Sequence, residues 1–389
     1  MSNLATLFAP APKPKSLLGY HRVLAPSAGA KVSPLCLGAM NLGDSWKGFM
    51  GECNKEQSFE LLDGFFDLGG NFIDTANNYQ NEESETWIGE WMKSRGNRDQ
   101  LVIATKYTTG FRTSHRDKEP MQSNFVGNSM KSMRTSVERS LKKLQTDYID
   151  LLYVHWWDFT SSVEEVMHGL NNLIASGKVL YLGVSDTPAW IVVKANDYAK
   201  ANGLRPFSVY QGKWNAGFRD MEREIIPMCR DQGMAICPWA PLGQGKFKSA
   251  EARKSGEQGS ARGSELSEND IKISDALESI AKSKNTSLHA VAIAYVMHKT
   301  PHVYPIVGQR SVKHLKANIE ALGVSLSQED IAAIDGAAPF DIGFPMNFIF
   351  RDYKYTDTAS DVLLTRAAAL IDVPPVPAPT RPHNRDDIA

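Results

Sequence analysis

Four polar residues in the first half of the chain, Asp74, Tyr79, Lys106 and His155, each stand at or just past the end of an apolar run: NFIDTANNY (71–79), LVIATKY (101–107) and IDLLYVHWW (149–157). Residues of these types can serve the hydride reduction of a carbonyl. Hydride reduction needs a proton donor at the carbonyl oxygen, and the Tyr79 phenol can be that acid. A free phenol keeps its proton up to about pH 10, so a neighbouring cation helps by stabilising the phenolate. Lys106 supplies one. Asp74, five residues before the tyrosine, can keep Lys106 charged and aligned, each charge compensating the burial of the other. His155 completes a hydrogen-bonding fork that orients the carbonyl oxygen. Taken singly, each residue has a plainer reading: Asp74 as a helix N-cap, Tyr79 as a half-buried aromatic, Lys106 as a rim charge, His155 as a satisfied core histidine. Their shared position at the ends of the second, third and fourth predicted strands favours the chemical reading.

The elements that must hold them alternate. Strands are predicted to end near Gly38 and to run over 71–75, 101–106, 149–155, 179–185, 206–211, 234–238 and 303–307, which makes eight. Helix-period stretches lie between them at 55–69, 84–96, 128–144, 162–177, 188–203 and 221–233, several ending at a Gly suited to a left-handed cap. This alternation, with near-continuous apolar strands, predicts an α/β fold of the (β/α)8 TIM-barrel type, with catalysis at the carboxyl ends of the strands. Short alternating segments around Ser27–Gly29 predict an amino-terminal β-hairpin able to plug the barrel floor. Two polar stretches, 108–127 and 246–268, are longer than ordinary barrel loops; they read as substrate or cofactor loops at the carboxyl-terminal face, or equally as disordered insertions. The organisation expected is a Pro-rich leader over 1–16, the barrel over 17–340, and a carboxyl-terminal extension over 341–389 that ends in a loose tail.

Composition narrows the partners. The 389 residues carry a formal charge of −1 with no long run of one sign, which implies neither nucleic acid nor an acidic membrane surface and leaves a small-molecule carbonyl substrate as the expected partner. Monomer and homo-oligomer are both compatible with it. Cys36, Cys53, Cys229 and Cys237 lack metal-ligand spacing, so no metal site is expected and the four read as buried thiols of a reducing compartment. Neither a secretory leader nor a run of eighteen apolar residues is visible, so a cytoplasmic protein is expected and the sequon Asn285-Thr286-Ser287 reads as a chance match.

With these segments in view, the chain resembles the aldo-keto reductases. GGNFIDTANNY matches that family's Asp and Tyr segment, IATKY its Lys segment and YIDLLYVHWWD its His segment. GEWMKSRGNRDQ, GKVLYLGVSDTPAW and CPWAPLGQGK add a likeness to its fungal aryl-alcohol dehydrogenase branch, which includes norsolorinic acid reductase-like proteins; together the likeness covers about residues 17–340. The resemblance implies NADPH bound without a Rossmann fold, consistent with the lack of a Gly-x-Gly-x-x-Gly after any predicted strand. It assigns Ser185 and Gln211 to the nicotinamide carboxamide and Trp239 to stacking on the ring, the plainer reading of Trp239 being a core tryptophan flanked by loop prolines. In PLGQGK (241–246), Pro241, Leu242 and Gln244 with Lys246 or Lys248 would face the pyrophosphate. In VGQRSVKHLKAN (307–318), Ser311 can cap a helix whose start carries Arg310 and Lys313, an anion site by chemistry. The family's 2′-phosphate contacts there match Gly308, Arg310, His314 and Asn318, which favours NADPH over NADH; an ordinary basic helix face is the alternative.

Two positions depart from the family pattern. Asp186 stands where many relatives carry Asn, and a carboxylate cannot donate to a carboxamide oxygen unless protonated. His314 replaces Gln or Arg. Trp46, Trp156 and Trp157, with Tyr107, Phe344 or Phe348, can wall an aromatic substrate, although tryptophans beside strand ends also serve barrel-to-helix packing. The expected activity is therefore reversible NADPH-dependent reduction of aryl aldehydes. The rivals are a polyketide-pathway ketone reductase, a Schiff-base aldolase using Lys106, and a non-catalytic NADPH-binding subunit like those of potassium channels.

Overall fold

Predominantly apolar runs form strands buried on both sides: every residue of Val102–Tyr107 and of Ile149–Val154 is buried. In the computed structural model, which describes residues 8–255, 265–350 and 358–389, a hairpin of β1 (Arg22–Ala25) and β2 (Ala28–Val32) precedes eight parallel strands. These are β3 (Cys36–Gly38), β4 (Phe72–Asp74), β5 (Val102–Tyr107), β6 (Ile149–Val154), β7 (Val179–Ser185), β8 (Val209–Lys213), β9 (Ala235–Trp239) and β10 (Ile306–Val307). Neighbours pair in the order β10-β3-β4-β5-β6-β7-β8-β9. A bridge between Ile236 and Val303 closes the ring, the Ile236 amide donating to His302 and the Tyr304 amide to Ile236, both at 2.9 Å.

The hairpin plugs the floor. Leu24, Ala25, Ala28 and Val32 share one apolar cluster with Cys36, Phe72, Val102 and Ala235, residues at the amino ends of the barrel strands. Tyr304 Oη donates to the Val23 carbonyl at 2.5 Å and fastens the hairpin there. The carboxyl ends of the strands are left as the accessible mouth.

Helices α1 (Lys55–Asp67), α2 (Glu83–Arg95), α3 (Met130–Leu144), α4 (Val163–Ala175), α5 (Ala189–Ala201) and α6 (Ile225–Asp231) follow the expected stretches, α6 trimmed by a 3-10 turn at Asp220–Glu222. Three of these starts are capped by side chains: Asn54 and Gln57 form a capping box on α1, and Ser129 and Ser162 cap α3 and α4. Two further helices, α7 (Glu268–Ser283) and α8 (Leu288–Lys299), lie between β9 and β10 where the sequence reading placed none. Ten of the twelve residues of α8 are buried, so it lacks the polar face that makes a helical period visible. α9 (Val312–Ile319) and α10 (Gln328–Asp335) complete the barrel.

The 108–127 stretch is a packed loop rather than a disordered insertion: Phe111 and Phe125 meet edge to face at 5.6 Å, and Arg112 pairs with both Glu82 and Glu119. Of the 246–268 stretch, residues 256–264 lie outside the described residues; before them stands a short helix, Ala250–Lys254. The tail expected to be loose returns to the leader at its end. His383 stacks on Tyr20 at 3.8 Å, Tyr20 Oη donates to the Asp387 carbonyl, and the Ala389 amide donates to Pro14. All four cysteines are buried and free. Among the described residues no helix is long and apolar enough to cross a membrane, and no cluster of His, Cys, Asp or Glu is arranged to hold a metal ion.

Candidate active site

The mouth of the barrel brings the four polar residues together. Asp74 is the last residue of β4, Lys106 the penultimate residue of β5 and His155 the first beyond β6, so parallel strands deliver all three to one end. Lys106 Nζ donates to Asp74 Oδ1 at 2.5 Å, to the Thr75 carbonyl at 2.7 Å and to Tyr79 Oη at 3.2 Å. Gln211 Nε2 fills the other Asp74 oxygen at 2.8 Å. Asp74 is thus no N-cap and Lys106, fully buried, no rim charge.

Burial opposes the Lys106 charge, but Asp74 and Tyr79 outweigh it and hold the ammonium above its usual pKa. Burial also pushes the Tyr79 phenol up, with Lys106 pulling the other way; the expected cation is present, and desolvation is the larger effect. His155 sits with its ring 6.0 Å from that of Tyr79 and nearly perpendicular to it. Burial, reinforced by Lys106, drives its pKa down to about 3, so the imidazole is neutral. Its Nδ1 lies 3.1 Å from Thr109 Oγ1.

Beyond Tyr79 the backbone is strained. Gln80, Asn81 and Glu82 have φ of 53°, 51° and 82°, three consecutive non-glycine residues in the left-handed region. Each is held by its side chain. Gln80 donates to the Met40 carbonyl and accepts the Trp46 amide at 2.6 Å, Asn81 Oδ1 accepts Trp46 Nε1 at 3.2 Å, and Glu82 pairs with Arg112 and Lys143. The Gln80 and Asn81 hydrogen bonds hold the Trp46 ring edge-on to Tyr79 at a centroid distance of 6.3 Å. Met40, Ser45, Trp46, Gly48 and Phe49 line an open hollow beside it.

On the opposite side of the mouth, Ser185 ends β7 in register with Gln211 of β8, and Trp239 ends β9 opposite Lys213. Trp239 Nε1 donates to Asp186 Oδ1 at 3.2 Å; burial raises the Asp186 pKa and this bond works against it. Pro241, Leu242 and Gln244 follow in a turn where Ala240, Gly243, Gln244 and Gly245 all have positive φ. Lys246 is committed to Asp270 at 3.0 Å, and the Lys248 amide donates to Ser274. At the end of β10, Ser311 caps α9 by accepting the His314 amide at 3.3 Å. Gly51, with φ of 81°, makes room for Arg310, whose Nη1 would lie 1.9 Å from any β-carbon placed there. Asn318 donates to Gln309 Oε1 at 3.0 Å and Asn41 to the Gln309 carbonyl at 2.9 Å. One buried polar atom in this half, Gln309 Nε2, has no hydrogen-bond partner among the described residues.

Residues 34–339 match the model of the Aldo/keto reductase family. The chain belongs to this family. Norsolorinic acid reductase A of Aspergillus parasiticus is 54% identical over 381 residues, 96% of each chain. Norsolorinic acid reductase B of Dothistroma septosporum is 52% identical over 375 residues, 94% of this chain and 95% of its own. The NADP(+) aryl-alcohol dehydrogenase of Phanerodontia chrysosporium is 54% identical over 350 residues, 87% of this chain and 91% of its own.

In this aldo/keto reductase not every expected wall residue reaches the mouth. Tyr107 is fully buried among the barrel and helix residues, its hydroxyl donating to the Asn128 carbonyl. The reason is the two-residue period of a strand: Lys106 points into the barrel, so Tyr107 must point out. Trp157 packs in the same outer layer as Tyr107. Phe344 and Phe348 are 83% and 60% exposed and touch one another rather than forming a wall. Trp46 and Trp156 remain. The sequence reading passed over Thr109, Gln80, Asn81, Phe49 and Gln309. For Gln309 a signal existed in its place within VGQRS; the other four carried none without the fold. Pro238, read both as the last residue of the 234–238 strand and as a loop proline beside Trp239, pairs inside β9 with Gly212.

Proposed function

We propose that this aldo/keto reductase uses NADPH to reduce aryl aldehydes, reversibly, with Tyr79 as the proton donor. The observation that carries the reading is Lys106 Nζ, bonded at once to Asp74 and to the Tyr79 hydroxyl at the strand ends. The residues present fit the cofactor: Gln309 Nε2, beside the start of α9, is a buried polar atom with no partner among the described residues. Ser185 with Gln211 would hold the carboxamide, Trp239 the ring, the Pro241–Gln244 turn and Lys248 the pyrophosphate, and Arg310 with His314 and the capped start of α9 the 2′-phosphate. Gly308 and Asn318 would shape that last site, Asn318 through Gln309. When bound, the nicotinamide supplies the hydride.

The protein's own groups handle the proton. Tyr79 gives its hydroxyl proton to the carbonyl oxygen as that oxygen gains charge, and the phenolate left behind is stabilised by Lys106 and reprotonated from solvent. Asp74 keeps Lys106 charged throughout. Neutral His155 contributes a second polar contact to the same oxygen. Trp46 and Trp156 offer flat apolar walls to an aromatic ring. The same geometry speaks against an aldolase, because the Lys106 amine is charged and its three protons are engaged.

A second reading is favoured by the comparisons: relatives named norsolorinic acid reductase match over 96% of the chain at the same 54% identity as the aryl-alcohol dehydrogenase. On that reading the substrate is one bulky aromatic ketone. The test is NADPH oxidation with substituted benzaldehydes and bulkier aromatic ketones, alongside NADH and Tyr79→Phe. Benzaldehyde turnover that falls by orders of magnitude in the variant, with NADPH affinity kept, supports the proposal; turnover only with the ketones moves the substrate to the second reading. Unchanged turnover in the variant removes Tyr79 from its role, and NADPH binding without any turnover supports a regulatory module.

A further inference from the structure

Thr109 lies two residues beyond β5, beside His155. Its hydroxyl stands between two side chains: Trp156 Nε1 at 3.0 Å and His155 Nδ1 at 3.1 Å. An indole N–H only donates, so Trp156 occupies a lone pair of Thr109 Oγ1 and fixes which way the hydroxyl is used. The hydroxyl proton then needs an acceptor. Among the described residues the acceptor in reach is His155 Nδ1, which must therefore be bare. A neutral imidazole carries one ring proton, and with Nδ1 bare that proton is on Nε2. The opposite arrangement, Nδ1–H donating to a second lone pair of Thr109, would leave the hydroxyl proton with no partner in a half-buried site. His155 Nε2 bonds to no described residue and is available to a ligand.

We propose that Thr109, oriented by Trp156, is a positioning residue that fixes His155 as the Nε2–H tautomer, so that the imidazole presents a donor to the substrate oxygen. The substrate part of this rests on the carbonyl-reductase reading; the tautomer itself does not. The direction matters for the chemistry. A carbonyl oxygen approached by the Tyr79 hydroxyl and an Nε2–H meets two donors, whereas a bare Nε2 would repel the oxygen and compete for the Tyr79 proton. Hydrogen bonds that run one way from Trp156 through Thr109 to His155 select the productive case before any substrate arrives.

The test is ¹⁵N NMR of the protein labelled at its nine histidines, with the His155 signals assigned by their loss in His155→Asn. The expected wild-type spectrum has an unprotonated Nδ1 and a protonated Nε2. Thr109→Val, which keeps the branched shape and removes the hydroxyl, and Trp156→Phe, which removes the orienting donor, are each expected to give mixed tautomers, while Thr109→Ser keeps the wild-type pattern. In turnover, Thr109→Val is expected to lower kcat by about 3- to 10-fold, the scale of one neutral hydrogen bond, with the NADPH dissociation constant unchanged and Ser restoring the rate. A protonated Nδ1 in the wild type, or an unchanged tautomer in a folded Thr109→Val or Trp156→Phe protein, overturns the proposal. If the tautomer shifts as expected while the wild type reduces no carbonyl, the tautomer assignment stands and the functional reading fails by itself.

Discussion

Gln211 Nε2 donates to Asp74 Oδ2 at 2.8 Å across 137 positions of sequence, so the middle of β8 holds the carboxylate that in turn holds Lys106. Gln211→Leu would leave that buried oxygen without a donor. The expected cost is about 1–3 kcal/mol of stability, read by chemical denaturation. Gln211→Glu would set a second carboxylate beside the first and is expected to destabilise more. Equal stability of all three proteins would show that the bond contributes nothing.

Proton supply sets opposite pH profiles for the two directions. Burial keeps the Tyr79 phenol protonated past its ordinary range despite Lys106. At saturating cofactor, reduction, which needs the phenol, is expected to be flat from about pH 6 to about pH 9. Alcohol oxidation, which needs the phenolate, is expected to rise about tenfold per pH unit over the alkaline part of that range. Lys106→Met removes the group that pulls the phenol down and is expected to move the oxidation limb to higher pH. A reduction rate that falls through neutrality would exclude Tyr79 as the acid.

Asp186 is expected to make cofactor affinity depend on acidity. Its pKa is raised by burial, with the Trp239 bond opposing. Protonation as pH falls through that raised pKa gives it a hydrogen to donate, and NADPH binding is expected to tighten by about 3- to 10-fold, one hydrogen bond's worth. Asp186→Asn, a permanent donor, is expected to bind NADPH tightly at every pH, as read by fluorescence titration; a pH slope persisting in the variant would assign it to another group.

Asn81 is a handle on the substrate wall. Its Oδ1 holds the Trp46 indole, and its φ of 51° is one glycine adopts freely. Asn81→Gly therefore removes the acceptor while relieving backbone strain. KM for aryl aldehydes is expected to rise by about 3- to 10-fold with kcat little changed, and Asn81→Asp is expected to restore it. An unaltered KM would detach Trp46 from substrate binding.

Arg310 is the basic residue packed over Gly51 at the start of α9. Arg310→Met is expected to weaken NADPH binding by about 10- to 100-fold, the scale of a charge-assisted hydrogen bond, and to leave NADH binding unchanged. Loss of both cofactors alike would place the residue in folding of the loop instead.

How much of this was legible in the chain depends on how local each feature is. The succession of strands, the Ser311 cap and the meeting of Asp74, Tyr79, Lys106 and His155 could be read from sequence because each rests on a short pattern: an apolar run, a Ser before a helix, a polar residue where the run ends. Parallel strands then carry such end residues to one mouth without further information. Tyr107 and Trp157 were assigned to the pocket because neighbours in sequence look like neighbours in space, whereas the pleat sends adjacent side chains to opposite faces. α8 stayed hidden because burial on all sides removes the contrast that periodicity needs. Contacts such as Gln211 with Asp74, Trp46 with Asn81, Lys246 with Asp270, and the docking of His383 on Tyr20 join residues that no local pattern links. Only closure of the barrel brings these side chains within hydrogen-bonding or stacking reach, and at that range a partner is chosen by geometry rather than by residue type.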